Sequence, residues 1–173
     1  MEESTQPAVK GIAIKWGLIY GFIGIILFVI IDISGLSGNQ AISWLSYVVF
    51  IVLLVLAHKE FKSNGDGFMS YVKGLGIGTL IAVVSSVISS VFSFIYVSFI
   101  NTDFIESIKE TQIAKMEEQG LSDAEIDRAM GFSEAFMTPV GIVVMGLLGT
   151  VFICFVISLL VAIFTKKQEP ESI

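Results

Sequence analysis

The residues able to do chemistry are few and widely spaced. Among 173 residues there is one histidine, His58, and one cysteine, Cys154. A zinc centre needs three or four Cys, His or carboxylate ligands, and His58, set beside Lys59 where an apolar run ends, supplies one. That position reads as an interfacial anchor. Cys154 lies deep in an apolar run, where a thiol is a small hydrophobe rather than a nucleophile. No serine occupies a Gly-x-Ser-x-Gly turn, and no phosphate-binding loop is present. Asp123, Glu125, Asp127 and Glu134 fall at positions 1, 3, 5 and 12 of a calcium-loop pattern. The glycine required at position 6 is replaced by Arg128, whose charge opposes a divalent ion. Asp32 is the charge nearest the end of an apolar run and is expected to reach the interface. The reading is non-enzymatic, with no catalytic residue, cofactor or metal assigned.

The elements holding these residues are set by composition. Hydrophobic side chains make up 54% of the chain and charged ones 15%, against roughly 25% charged in average chains. Mean hydropathy is +0.86 and the sequence pI about 4.7. These values exclude disorder, a collagen-like repeat, a disulfide scaffold and a nucleic-acid binder.

Four uncharged runs are long enough to cross a bilayer, which takes roughly 17–25 residues. They predict helices over about 11–33, 41–57, 74–102 and 139–165. A loop covers 58–73, and the single membrane domain occupies 1–173. Continuous apolar stretches such as Ile25–Ile31 do not alternate, so they predict helices rather than barrel strands. The first run is longer than a signal-peptide core and no small-residue cleavage site follows it, so it is expected to remain as a span.

Lys and Arg give the orientation. Lys10, Lys15, Lys59, Lys62, Lys73, Lys166 and Lys167 share one side of a four-span topology. Only Lys109, Lys115 and Arg128 lie on the other. The positive-inside rule then expects both termini in the cytoplasm and Trp44 and Tyr47 at the outer interface.

Residues 102–136 form the one sizeable polar segment. Nine acidic residues stand against three basic ones there, so this segment holds the whole formal charge of −6. Ile105, Ile108, Ile113 and Met116 recur near a 3.6-residue period. Gly120 is placed to end that helix in the left-handed conformation. Ser122-Asp123-Ala124-Glu125 reads as a capping box opening a second helix. Thr138-Pro139 reads as the N-cap and first residue of the last span. The expected fold is all-α: four transmembrane helices with an extracytoplasmic amphipathic hairpin over 103–136.

Within the spans, the distinctive feature is small residues. Gly74, Gly78, Ala82, Ser86 and Ser90 recur every four positions. Ser85, Ser89 and Ser93 run beside them, and Gly17 and Gly21 form a GxxxG in the first span. Such residues let helix backbones approach, and in lipid that packing itself drives association. They are read as helix-packing positions, with a subunit seam or a serine-lined path as the sharper alternatives. Gly141, Gly146 and Gly149 thin the last span.

Two stretches carry a resemblance to a known family. One is Gly67-Phe68-Met69-Ser70-Tyr71-Val72-Lys73-Gly74-Leu75. The other is Met116-Glu117-Glu118-Gln119-Gly120-Leu121-Ser122-Asp123-Ala124-Glu125-Ile126, followed by Pro139. From Gly11 to Lys167 the chain resembles a bacterial integral membrane protein family, domain of unknown function 4199. The resemblance implies a small four-helix protein of the bacterial inner membrane and brings no activity, cofactor or catalytic residue. The expected role is structural or accessory, exercised through contacts with the lipid bilayer and with a second copy or another membrane protein. The alternative is a small transporter or oligomeric channel using the serine-rich face of the third helix.

Overall fold

A computed structural model describes residues 8–36 and 39–168. Residues 37 and 38, between the first two predicted helices, and the chain ends that bound the 1–173 domain, lie outside the described residues. Of the described residues 83% are helical and none lies in a strand. The helices are α1 (Val9–Ile33), α2 (Gln40–Ser63), α3 (Tyr71–Ile95), α4 (Phe104–Glu118), α5 (Asp123–Glu134) and α6 (Pro139–Thr165), and a π-helical turn, Tyr96–Ile100, follows α3. Four stretches are long and apolar enough to cross a membrane: Val9–Ile33, Trp44–Ser63, Tyr71–Ile100 and Pro139–Thr165. Their outward faces keep large apolar side chains uncovered, among them Phe22, Val87, Phe152 and Phe164. A water-soluble monomer rarely shows so much apolar surface. This is a multi-pass membrane protein.

Local chemistry explains where the helices stop. After α1, Gly35 takes φ +67°, its amide bonds the Asp32 carbonyl, and Leu36 reaches back to Ile31. Gly120 does the same after α4 at φ +80°, with its own amide on Glu117 and that of Leu121 on Met116. These are the two bonds that close a helix C-terminus around a left-handed residue. Ser122 opens α5 through a capping box. Pro139 opens α6 while the Thr138 hydroxyl accepts from the Gly141 amide at 3.0 Å.

Three boundaries differ from the sequence expectation. First, α2 runs through Ser63 and α3 starts at Tyr71, so the connecting loop is residues 64–70 rather than 58–73. Charge ends an apolar run but not a helix. Lys59, Glu60 and Lys62 are adequate helix formers, and the chain turns where Asn64-Gly65-Asp66-Gly67 provides a breaker. Second, α1 begins at Val9, two residues early. Third, the third span is α-helical only to Ile95, then widens so that the Asn101 amide bonds the Tyr96 carbonyl five residues back. In that widened turn the adjacent Tyr96 and Val97 are both buried.

The chain forms two compact units, with boundaries inside α3 and α6. One comprises residues up to Ser89 and from Gly149 onward, the other Ser90–Leu148. The first holds the hydrophobic core, with Phe50, Leu54, Phe61, Ile77 and Ile81 almost wholly enclosed. In the second, the only buried residue of α4 and α5 is Ile126.

Candidate functional site

The first unit is assembled on small residues. Gly74, Gly78, Ala82 and Ser86 are buried along one face of α3, and Ser90 is half-buried. A β-carbon at Gly78 would lie 2.7 Å from Ser158 Cβ and 3.2 Å from Leu54 Cδ1, inside two neighbouring helices. At Gly74 it would lie 3.0 Å from Met69 Cε and 3.5 Å from both Ala162 Cβ and His58 Cε1. One face of α3 therefore lies against α2 and α6 at van der Waals distance. Another face meets α1: a β-carbon at Gly17 would come within 2.7 Å of Val84 Cβ, and one at Gly21 within 3.3 Å of Ile88 Cβ. The glycines of the last span behave differently. Gly146 and Gly149 have open space where a side chain would go, and Gly141 sits against the backbone of its own Phe136.

The buried hydroxyls point at their own helices. Ser85 donates to Ala82 O at 3.1 Å, Ser86 to Val83 O at 2.9 Å and Ser158 to Cys154 O at 2.7 Å. Each has spent its single proton on a local carbonyl, which is how lipid-embedded serines satisfy themselves.

A polar cluster lies where α2 ends, α3 begins and α6 ends. His58, read from the sequence as an interfacial anchor, is completely buried among its own helices. Its Nε2 lies 2.9 Å from Gly74 O on α3, and its Nδ1 lies 2.7 Å from Thr165 Oγ1 on α6. The Thr165 hydroxyl is also 2.8 Å from Val161 O, and Lys62 Nζ donates to Thr165 O at 3.0 Å. One imidazole thus ties three helices. The loop closes over the same end, where Met69 and Lys167 exchange backbone hydrogen bonds of 2.8 and 2.9 Å.

A second clasp joins α1 to α2. Glu60 accepts from Lys15 Nζ at 2.8 Å and from Trp16 Nε1 at 2.8 Å, while the Tyr20 ring packs against Phe50 with centroids 5.2 Å apart and planes tilted by 49°.

The His58 clasp was within reach of the sequence. Phe50, Leu54, His58 and Phe61 recur at helical spacing, which puts the histidine on the buried face of α2. Its partners, a carbonyl on α3 and a hydroxyl on α6, have no sequence signature. In the second unit, the residues of the calcium-loop pattern lie along the regular helix α5 rather than in a loop. Asp32 is half-buried where α1 ends.

No curated protein and no solved structure matches this chain. Residues 15–167 match the family described as protein of unknown function, DUF4199. A match over most of the chain, with four apolar helices packed through small residues, makes this protein a membrane-spanning member of that family.

Proposed function

We propose that this chain is a bacterial inner-membrane protein with both termini cytoplasmic, acting as a non-enzymatic structural or accessory protein. Its working surfaces are the lipid-facing sides of the spans and the acidic α4–α5 segment, taken to be extracytoplasmic. The observation that carries the reading is the inward closure of α3. Gly74 and Gly78 lie against α2 and α6, Val84 and Ile88 lie against Gly17 and Gly21 of α1, and Ser85 and Ser86 bond their own helix. Ser85 and Ser86 have given their protons to their own helix, which weighs against a transporter or channel built on that part of the serine face. The uneven distribution of Lys and Arg supports the orientation.

Two measurements test the reading. Cysteines placed singly at Ser63 and Glu110, with Cys154 replaced by alanine, are expected to label from opposite sides of spheroplasts. Labelling from one side would overturn the orientation. The purified protein in liposomes is expected to pass no ions or small solutes. Flux by the protein alone would restore the channel reading.

A further inference from the structure

The exposed aromatic pair at the end of α5 has no partner in its own unit. Phe132 is 79% exposed and Phe136 46%, and their ring centroids lie 6.2 Å apart with the planes tilted by 55°. Elsewhere on α5, Ile126 is buried and Ala129, Met130 and Ser133 are half-buried, so this helix already has an inward face, which is not the one carrying Phe132. Asp123, Asp127 and Glu134 are exposed, and at 100° per residue they lie about 140–180° around the helix from Phe132. Arg128 and Glu125, also exposed, lie within about 40° of Phe132 one and two turns earlier, so the aromatic face is confined to the last turn of α5.

Chain geometry indicates what covers the aromatic face. Only Met137 and Thr138 separate Phe136 from Pro139, where a membrane span begins. Three residues reach at most about 11 Å even when extended. Here they are folded back: Phe136 N bonds Ser133 O, Met137 N bonds Glu134 O, and a β-carbon at Gly141 would lie 2.9 Å from the Phe136 carbonyl carbon. Beyond the joint, Val140, Val144 and Leu148 are exposed apolar residues of the span itself, and no charged residue intervenes between Glu134 and Lys166. The aromatic pair thus stands within a few residues of the exposed apolar surface of a membrane span. The headgroup layer adds about 5–7 Å on each side of the hydrocarbon, and interfacial helices sink about 5–10 Å into that boundary.

We propose that Phe132 and Phe136 are a bilayer anchor, seating the end of α5 in the interfacial layer with Asp127 and Glu134 turned to water. The surface binds lipid rather than protein. Anchoring rests on burial of two rings, so it needs no anionic headgroup and works in a zwitterionic membrane. It depends on the span beginning at Pro139 and not on the protein's role.

The test is spin-label depth. Phe132→Cys, Phe136→Cys and Asp127→Cys, each combined with Cys154→Ala, are labelled with a nitroxide and reconstituted in phosphatidylcholine nanodiscs. The labels at 132 and 136 are expected to relax faster with oxygen than with a water-soluble nickel chelate, and the label at 127 to show the reverse. A water-like ratio at 132 and 136 would overturn the anchor. So would protection from both relaxants, which would mean that a second copy or another protein covers the pair. Phe132→Trp keeps an aromatic ring in place. Its emission above the Trp16 and Trp44 background should be quenched by phosphatidylcholine brominated near the headgroup, and absence of that extra quenching counts equally against the proposal.

Discussion

The two units of this chain are stabilised by different means. In the unit containing α1 and α2, helices meet through positions with little or no side chain, and Gly17, Gly74 and Gly78 would all collide with a neighbour if they carried one. Some polar groups there work between helices, as His58 does for α2, α3 and α6, while Ser85, Ser86 and Ser158 bond their own helices. In the unit containing α4 and α5, polar groups work within a helix or at its ends. Ser107 bonds Phe104 O, Thr111 bonds Ser107 O, and the Glu125 carboxylate accepts from the Ser122 amide at 2.9 Å and hydroxyl at 2.7 Å. The difference is the one expected between apolar spans and short polar helices. A helix in lipid gains nothing from hiding apolar side chains, so close backbone approach and buried hydrogen bonds must order it. A short helix in water is marginal and needs caps.

The largest expected effect comes from filling a closed approach. Gly78→Leu drives a side chain into Ser158 and Leu54, and at least the roughly 1–3 kcal/mol typical of overpacking should be lost. Thermal unfolding in mild detergent should show it, and a wild-type transition would mean that the α3–α6 contact is loose.

His58→Ala comes next. It strips the Gly74 carbonyl and the Thr165 hydroxyl of a shared buried partner, and losing such a partner costs about 1–3 kcal/mol. The loss should appear as faster hydrogen exchange at the ends of α2 and α6 and the start of α3. Exchange confined to α2 would mean that the imidazole is not a three-helix tie.

Smaller and confined to α5 is the effect of Ser122→Ala, at about 1 kcal/mol for an N-cap. Exchange should quicken around Asp123–Arg128 and leave α2 unchanged. The same cap is sensitive to acid. The Ser122 hydroxyl, and then its amide, hold the Glu125 carboxyl below its ordinary value of 4.5. A depressed folded pKa means that the contribution is full above the unfolded value and fades as pH falls through the folded one. Protection of α5 should therefore hold at pH 6 and weaken below about pH 4.5, and Glu125→Gln should remove that pH dependence. The smallest effect is expected at Val87, half-exposed on α3, where Val87→Leu should stay within about 0.5 kcal/mol of wild type.

Legibility followed the same divide. The spans could be read because charge-free runs of that length have one stable use in a bilayer. The caps at Gly120, Ser122 and Pro139 could be read because each depends on neighbours in sequence. The end of α2 was misplaced because the sequence marks where lipid ends, whereas the helix continues to the Asn64–Gly67 breaker. The burial of His58 was missed for a related reason: a histidine beside lysines looks interfacial until its helical face is compared with Phe50 and Leu54. The small-residue stripe announced close packing but not its partner, since Ser158 and Val84 are ordinary membrane residues. Phe132 and Phe136 drew no notice, because exposure is a property of the folded helix.

The central claim is that the Gly74–Ser86 face of α3 is closed by the protein's own helices rather than by a second subunit. Ala82, fully buried at its middle, is the place to test it. Ala82→Leu and wild type are compared in mild detergent by thermal unfolding and by chemical cross-linking. The expected result is a lower melting temperature for the monomer, with any cross-linked oligomer falling only in proportion to the folded fraction. A monomer of unchanged stability that has lost its oligomer would contradict the claim and make that face a subunit seam.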